Sequence, residues 1–174
     1  HEGMNPEIRE QFLGYIDQLK QQGHQVKEFS FPFLEQLVPC YNVISNAEAS
    51  SNLSRYDGIR FGYRSKDAVG IDQTFSASRT EGFGEEVKRR IMLGTFVLSS
   101  GYYDAYYAKA QKVRSMIRDY TRELFDKYDY LVLPTAPHIA FEYGSNDDPI
   151  AMYLEDIFCT HAALAGIPAV STPM

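Results

Sequence analysis

The chain has 174 residues, of which 44% are hydrophobic, and this proportion is enough to form the core of one ordinary folded domain. Its formal net charge is -6, and its one basic cluster, Lys88-Arg89-Arg90, is offset by Glu85 and Glu86. This acidic balance argues against a surface for nucleic acid, because such surfaces carry a clear excess of Lys and Arg.

Cysteine usage and hydropathy both predict a cytoplasmic protein. Cys40 and Cys159 lack metal-type spacing and lie among apolar residues, so we expect two buried free thiols. The N-terminus lacks the basic-then-apolar order of a signal peptide, and no stretch approaches the ~20 apolar residues of a membrane span. We therefore predict no membrane partner.

The first third of the chain predicts two helices separated by a short strand. The run Asn5-Pro6-Glu7 combines a capping side chain, a first-turn proline and an acidic residue, which favour a helix that Gly23 then ends. A weakly alternating segment, residues 26–31, follows as a strand. Apolar residues then keep helical spacing from Phe33 to about Leu53, although Pro39 should kink or restart that helix.

The middle of the chain predicts a long irregular segment and then two helices. Residues 55–81 are rich in glycine and polar residues and indicate an irregular excursion, and loops of that length are usually functional. Residues 87–97 favour a largely buried helix with Gly101 as its stop. Residues 104–128 form the clearest amphipathic pattern.

The last third predicts a βαβ unit. Residues 130–133 are a continuous apolar run typical of a strand in a parallel sheet, and Asp147-Asp148-Pro149 begins a helix that ends at Gly166. Residues 169–171 start the next strand. Ligands of such α/β sheets bind beyond the carboxyl ends of the strands, so we expect a pocket at residues 134–144 and the N-terminal half of the 149–165 helix.

Several longer runs of residues resemble the amidase signature family and, within it, the A subunits of glutamyl-tRNA(Gln) and aspartyl-tRNA(Asn) amidotransferases. These runs are Ala47–Gly58, Glu81–Gly94, Ser100–Tyr107, Leu133–Pro137 and Asp148–Tyr153. The resemblance implies an α/β fold class: the C-terminal portion of an amidase signature fold, helix-rich with a partial mixed or parallel sheet. We expect residues 1–174 to be a single truncated domain.

The resemblance also implies that no catalytic residue lies in this chain. The family uses a Ser, a cis-Ser and a Lys, carried on a Gly/Ser-rich stretch upstream of all the matching runs. The serine pairs Ser50-Ser51 and Ser99-Ser100 lack the flanking glycines that let a backbone close around an oxyanion. We therefore expect the 174 residues alone to be inactive.

Three residues are implied to recognise glutamine. Desolvating this zwitterion requires a cationic fork for its α-carboxylate and a carboxylate for its α-ammonium group. By resemblance, Arg90 binds the α-carboxylate, Asp156 binds the α-ammonium group, and the hydroxyl of Tyr41 lines the pocket. The family commonly has a second Tyr where this chain has Asn42. From the residues alone, each also has a structural interpretation: an ion pair for Arg90, a solvated helix face for Asp156 and a core aromatic for Tyr41.

The implied reaction is glutamine hydrolysis that supplies ammonia for amidation of Glu-tRNA(Gln). Its implied partners are the B and C subunits of the amidotransferase, and tRNA is contacted only through a partner. ATP and Mg²⁺ are expected to bind to a partner subunit, so no cofactor is expected on this chain. Whether the parent prefers Glu-tRNA(Gln) or Asp-tRNA(Asn) stays open. Two alternatives remain: another amidase signature hydrolase of small neutral amides, and a non-catalytic interaction fragment.

Overall fold

The computed structural model describes residues 3–142 and 149–173 of the chain, and within these ranges the regular secondary structure is helical. The α-helices are α1 (Pro6–Gln21), α2 (Leu34–Leu53), α3 (Ile71–Gly82), α4 (Glu85–Leu98), α5 (Lys109–Phe125), α6 (Pro149–Leu154) and α7 (Cys159–Ala165). A π-helical turn, Asp104–Ala108, leads directly into α5. No helix in the described ranges is both long and apolar enough to cross a membrane.

The chain divides into two compact units. The first unit contains His1–Pro39 and Val113–Met174, and the second contains Cys40–Lys112. The boundaries fall inside α2 and α5, so each of these helices contributes residues to both units.

Helix α1 begins as the sequence predicts. The side-chain oxygen of Asn5 accepts a hydrogen bond from the backbone N–H of Glu7 at 2.8 Å, which satisfies one of the free donors at the helix start. Pro6 occupies the first turn, where its missing N–H costs nothing. The helix ends before Gly23, whose φ of 94° favours glycine. Within the first unit, the N–H of Asn5 also donates to the carbonyl of Pro137 at 2.9 Å.

The core of the first unit contains a polar pair on an apolar face. Ile117 and Thr121 on α5 are fully buried, and Leu124 continues the same face, which confirms the predicted amphipathic helix. The hydroxyl of Thr121 donates to the carbonyl of Ile117 at 2.7 Å and lies 2.8 Å from Nε2 of His161. Burial lowers the pKa of His161, so the ring is neutral at pH 7. Because the Thr121 hydroxyl donates to Ile117, the tautomer that completes the pair carries its hydrogen on Nε2 and donates it to Thr121.

In the second unit, α2 and α4 approach closely at Gly94. A Cβ on this buried glycine would overlap the carbonyl oxygen of Asn46 and lie 2.6 Å from Cβ of Ser50. Next to it, the hydroxyls of Ser50 and Thr95 form a hydrogen bond of 3.0 Å. The absence of a side chain at residue 94 therefore allows the two helix backbones to pack together.

The predicted irregular excursion is wrong for its second half. Residues 71–82 form α3, whose buried residues are the polar Thr74 and Ser78 at i and i+4. Because the buried face of α3 is polar, the spacing of apolar residues does not indicate a helix there. The irregular segment is limited to residues 54–70.

The predicted strands are also wrong for the described residues. Residues 26–31, 130–133 and 169–171 have no strand structure in the described parts of the chain. Val132 and Leu133 are exposed, although the sequence predicts a strand buried on both faces. A strand requires a neighbour to pair with, and an apolar run does not specify that neighbour. The βαβ unit is therefore not present among the described residues, and the sheet of the predicted fold class is not confirmed.

Three other local predictions need correction. Helix α2 is continuous through Pro39, so the predicted restart is wrong, and the alternative of a kink there stays a prediction. Among the described residues, only Gly94 and Val97 of helix α4 are buried, so the predicted largely buried helix is wrong. Cys40 is a buried free thiol as predicted, but Cys159 is exposed.

We predict that Gly94→Ala destabilises the protein, because the added methyl group forces α2 and α4 apart. The free energy of unfolding should fall by about 2 kcal/mol, the usual cost of overpacking. Gly14→Ala on α1 is the matched control, because no atom lies within 4 Å of its added Cβ. That change should raise stability by about 1 kcal/mol through helix propensity. Denaturant unfolding measures both, and equal effects would contradict the packing argument.

Candidate functional site

The residues predicted to bind glutamine lie in both compact units. Tyr41 on α2 and Arg90 on α4 belong to the second unit, and both are half-buried. Asp156 belongs to the first unit and is exposed. The joint action of Arg90 and Asp156 on one ligand stays a prediction.

The guanidinium of Arg90 is held by a residue of its own helix. Its Nε donates to Oε1 of Glu86 at 2.8 Å, one helical turn earlier. In the described residues, its two terminal nitrogens have no hydrogen-bond acceptor, and 41% of its side chain is exposed. The structural ion pair is therefore present, and it leaves one edge of the guanidinium unengaged.

Glu86 accepts hydrogen bonds from two arginines. Its Oε2 accepts from Nε of Arg89 at 2.8 Å, while Oε1 accepts from Arg90. These hydrogen bonds, that of Arg90 most, hold the pKa of Glu86 below its usual value. Glu86 is therefore ionised at neutral pH, and the group of three side chains keeps a net positive charge.

The start of α4 explains why the acidic residues precede the basic ones. Gly84 precedes the helix without a side-chain cap, and Glu85 and Glu86 occupy the first turn, where a negative charge is favourable. The basic residues that follow pair backwards, as Nζ of Lys88 does with Glu85 at 2.6 Å. Arg90 lies one turn before Gly94, on the face of α4 that contacts α2.

Asp156 lies in a turn, not in the continuous helix 149–165 that the sequence predicts. The turn joins α6 to α7, and it is held by hydrogen bonds from the N–H of Asp156 to Tyr153 at 3.3 Å and from the N–H of Thr160 to Asp156 at 3.0 Å. The sequence gives no sign of this break, because no glycine or proline lies between residues 150 and 165. Asp147 and Asp148, the predicted start of the helix, lie outside the described residues.

The loop after residue 134 contacts this turn and the start of α7, and the pocket expected there stays a prediction. Nδ1 of His138 lies 2.6 Å from Oε1 of Glu155, and the thiol of Cys159 donates to the carbonyl of Thr135 at 3.0 Å. Partial loss of solvent around the sulfur atom, and then the negative charge of Asp156, raise the pKa of the Cys159 thiol. The carboxylate of Asp156 thus adds negative charge to this end of the first unit. Residues 143–148, which include the predicted end of the loop at Gly144, are outside the described residues.

A small hollow of about 140 Å³ lies elsewhere, in the second unit. Its lining residues come from the irregular segment 54–70 and from the region of α3, and they are Tyr56, Gly62, Tyr63, Ser78, Gly82 and Phe83. None of the predicted site residues lines this hollow, and the sequence gives no sign of it.

Asp57 fixes the turn that leads into the irregular segment. Its Oδ1 accepts the N–H groups of Ile59 and Arg60, each at 2.9 Å, and its Oδ2 accepts from Nε of Arg60 at 2.7 Å. These hydrogen bonds, those from the backbone most, lower the pKa of Asp57 to about 2. Asp57 is therefore a structural residue.

Groups that hold a metal ion need a cluster of His, Cys, Asp or Glu side chains. Within residues 3–142 and 149–173, no group of three or more such side chains has the required proximity. His138 and Glu155 are a pair, and His161 bonds to Thr121. We therefore assign no metal-binding residue.

Comparison with known proteins shows the family. The sequence profile of the amidase family, described as Amidase, matches residues 1–174, so the chain belongs to this family, as predicted. The A subunit of glutamyl-tRNA(Gln) amidotransferase from Ruminiclostridium cellulolyticum is 50% identical over 99% of this chain and 36% of its own length. The corresponding protein of Brevibacillus brevis is 50% identical over 99% of this chain and 35% of its own length.

A solved structure shows the same fold. The A subunit of glutamyl-tRNA(Gln) amidotransferase from Thermotoga maritima matches with a TM-score of 0.65 and 39% identity, over 94% of this chain and 30% of that chain. The chain thus spans about a third of the length of the relatives that it matches.

We predict that Asp57 contributes to stability in acid. Its pKa of about 2 in the folded chain lies below the ordinary value of 3.8, so its contribution is complete above pH 4 and is lost as pH falls toward 2. In Asp57→Asn, the decline of the urea midpoint between pH 4 and pH 2 should be shallower. Asp67→Asn, in the same irregular segment, is the control and should leave the slope unchanged. Identical slopes in the wild type and Asp57→Asn would show that these bonds do not favour the ionised form.

Proposed function

We propose that this chain supplies the glutamine-recognition part of a glutamine-hydrolysing subunit of a tRNA-dependent amidotransferase. The observation that supports this most is the 50% identity to two amidotransferase A subunits over 99% of the chain. The geometry of Arg90 adds a physical reason, because its unengaged edge is suited to a carboxylate. The fold likeness to the Thermotoga maritima protein is consistent with this.

In the proposed reaction, three side chains orient glutamine. Arg90 donates two parallel hydrogen bonds to the α-carboxylate, Asp156 accepts from the α-ammonium group, and the hydroxyl of Tyr41 bonds to the substrate. With both α-groups held, the side-chain amide is presented to a nucleophile. By family resemblance, this nucleophile is a serine of the Ser, cis-Ser and Lys group, which these 174 residues do not supply. The chain thus contributes orientation, not bond making.

The ammonia that is released would pass to a partner subunit. We propose the B and C subunits of an amidotransferase as partners, with the partner contacting tRNA and using ATP and Mg²⁺ to activate Glu-tRNA(Gln). We assign no cofactor to this chain, and its acidic balance supports an indirect contact with tRNA. A cytoplasmic location follows from this role, because tRNA amidation takes place where tRNA is charged.

The first test of this proposal is Arg90→Ala in the full-length protein with its partner subunits. Loss of two charge-assisted hydrogen bonds should raise the KM for glutamine about 10- to 100-fold. The effect on kcat should be smaller, because the α-carboxylate is remote from the reacting amide. Lys88→Ala on the same helix is the matched control, because Lys88 pairs with Glu85 and not with Glu86, and it should change KM less than about 2-fold.

A substrate comparison separates this proposal from its alternatives. Glutaminamide lacks the α-carboxylate, so the wild type should prefer glutamine, and Arg90→Ala should lose that preference. A hydrolase of small neutral amides would accept both substrates and would not respond to the change at Arg90. A non-catalytic interaction fragment would leave all glutamine kinetics unchanged in Arg90→Ala, and that result would overturn the proposal.

Asp156→Asn tests the other end of the substrate. The neutral amide keeps the size of the side chain but loses the charge that attracts an α-ammonium group, so the KM for glutamine should rise about 10-fold. Glu155→Gln is the matched control, because this neighbour pairs with His138 and should leave KM within about 2-fold of the wild type. Equal effects of the two changes would show that Asp156 acts only through the general charge of the turn.

A further inference from the structure

We propose that Glu86 is a positioning residue that orients the guanidinium of Arg90 toward the carboxylate it recognises. The inference rests on the proposed function, and it adds a residue that the sequence alone marks only as a compensating charge. It is carried by the contacts among Glu86, Arg89 and Arg90 at the start of α4.

A guanidinium has two edges that can bind a carboxylate with parallel hydrogen bonds. One edge is formed by Nε and one terminal nitrogen, and the other is formed by the two terminal nitrogens. In Arg90, Nε donates a hydrogen bond to Oε1 of Glu86 at 2.8 Å. Among the described residues no acceptor contacts the terminal nitrogens, so Glu86 leaves the end-on edge for a ligand.

Glu86 is itself held in place. Its second oxygen accepts from Arg89, so the carboxylate is bonded at both oxygens, and turning it away from Arg90 would also break the hydrogen bond to Arg89. The contacts among the three side chains follow from the helical spacing, since Arg89 and Arg90 are three and four residues after Glu86. One negative charge shared by two positive charges leaves the group with an excess positive charge, as anion binding requires.

The exposure of the pair argues against a mainly stabilising role. The side chain of Arg90 is 41% exposed and that of Glu86 is 48% exposed. Exposed ion pairs contribute little to stability, because water and salt screen them and long side chains lose freedom when they pair. A change at Glu86 should therefore affect substrate recognition far more than it affects folding.

The test compares Glu86→Ala and Glu86→Gln with wild type in the full-length protein with its partner subunits. Glu86→Ala frees the guanidinium of Arg90, so the KM for glutamine should rise about 10-fold while kcat changes less than about 2-fold. Glu86→Gln keeps an oxygen that can accept from Nε and should give an intermediate KM. Glu85→Ala is the matched control, since Glu85 lies in the same helical turn and pairs with Lys88 instead.

Two further readouts separate positioning from a structural role. The KM for glutaminamide, which offers no carboxylate to Arg90, should be unchanged in Glu86→Ala. Adding Glu86→Ala to Arg90→Ala should cause no further rise in the KM for glutamine, because the residue acts through Arg90. The thermal midpoint of Glu86→Ala should equal that of Glu85→Ala.

The outcomes distinguish this inference from the function on which it rests. If Arg90→Ala raises the KM for glutamine but Glu86→Ala does not, the positioning role is wrong and the proposed function stands. If Glu86→Ala raises the KM equally for glutaminamide, or adds to Arg90→Ala, the effect does not pass through Arg90 and the inference is overturned. If Arg90→Ala leaves the KM unchanged, both proposals fail.

Discussion

The close packing of α4 against α2 at Gly94 is the constraint on which the candidate site depends. Helix α4 starts without a side-chain cap and has few buried residues, so propensity alone does not hold it in place. The backbone contact with Asn46 and the hydrogen bond between Ser50 and Thr95 fix one face of the helix. Arg90 lies one turn earlier on that face, so the backbone of Arg90 belongs to a packed helix and not to a loop.

The charge pattern at the start of α4 serves two physical purposes. The negative charge of Glu86 in the first turn interacts favourably with the helix dipole. The same carboxylate accepts hydrogen bonds from Nε of Arg89 and Nε of Arg90. A guanidinium fixed through Nε loses less freedom when a carboxylate binds at its other edge. In the first unit, Asp156 occupies a turn between two short helices and supplies charge of the opposite sign.

The parts of the fold that could be predicted are those with local signals. The cap at Asn5 and the apolar face of α5 follow from short-range spacing, and the structure agrees with both. Hydropathy does not reveal helix α3, because its buried face carries Thr74 and Ser78, which are polar and resemble surface residues. The predicted strands failed because an apolar run indicates burial or extension but does not name a pairing partner. For the candidate site, the sequence indicates the residue types, but it does not reveal that Nε of Arg90 donates to Glu86, because side-chain orientation depends on the folded helix.

The most direct test of glutamine recognition by Arg90 is a crystal structure of the full-length protein with glutamine bound. We predict that both terminal nitrogens of Arg90 lie about 2.9 Å from the oxygens of the α-carboxylate, with Nε still bonded to Glu86. We also predict that the carboxylate of Asp156 contacts the α-ammonium group of the same molecule. A structure in which glutamine binds without contacting Arg90, or in which the terminal nitrogens of Arg90 bond to protein groups instead, would contradict the central claim.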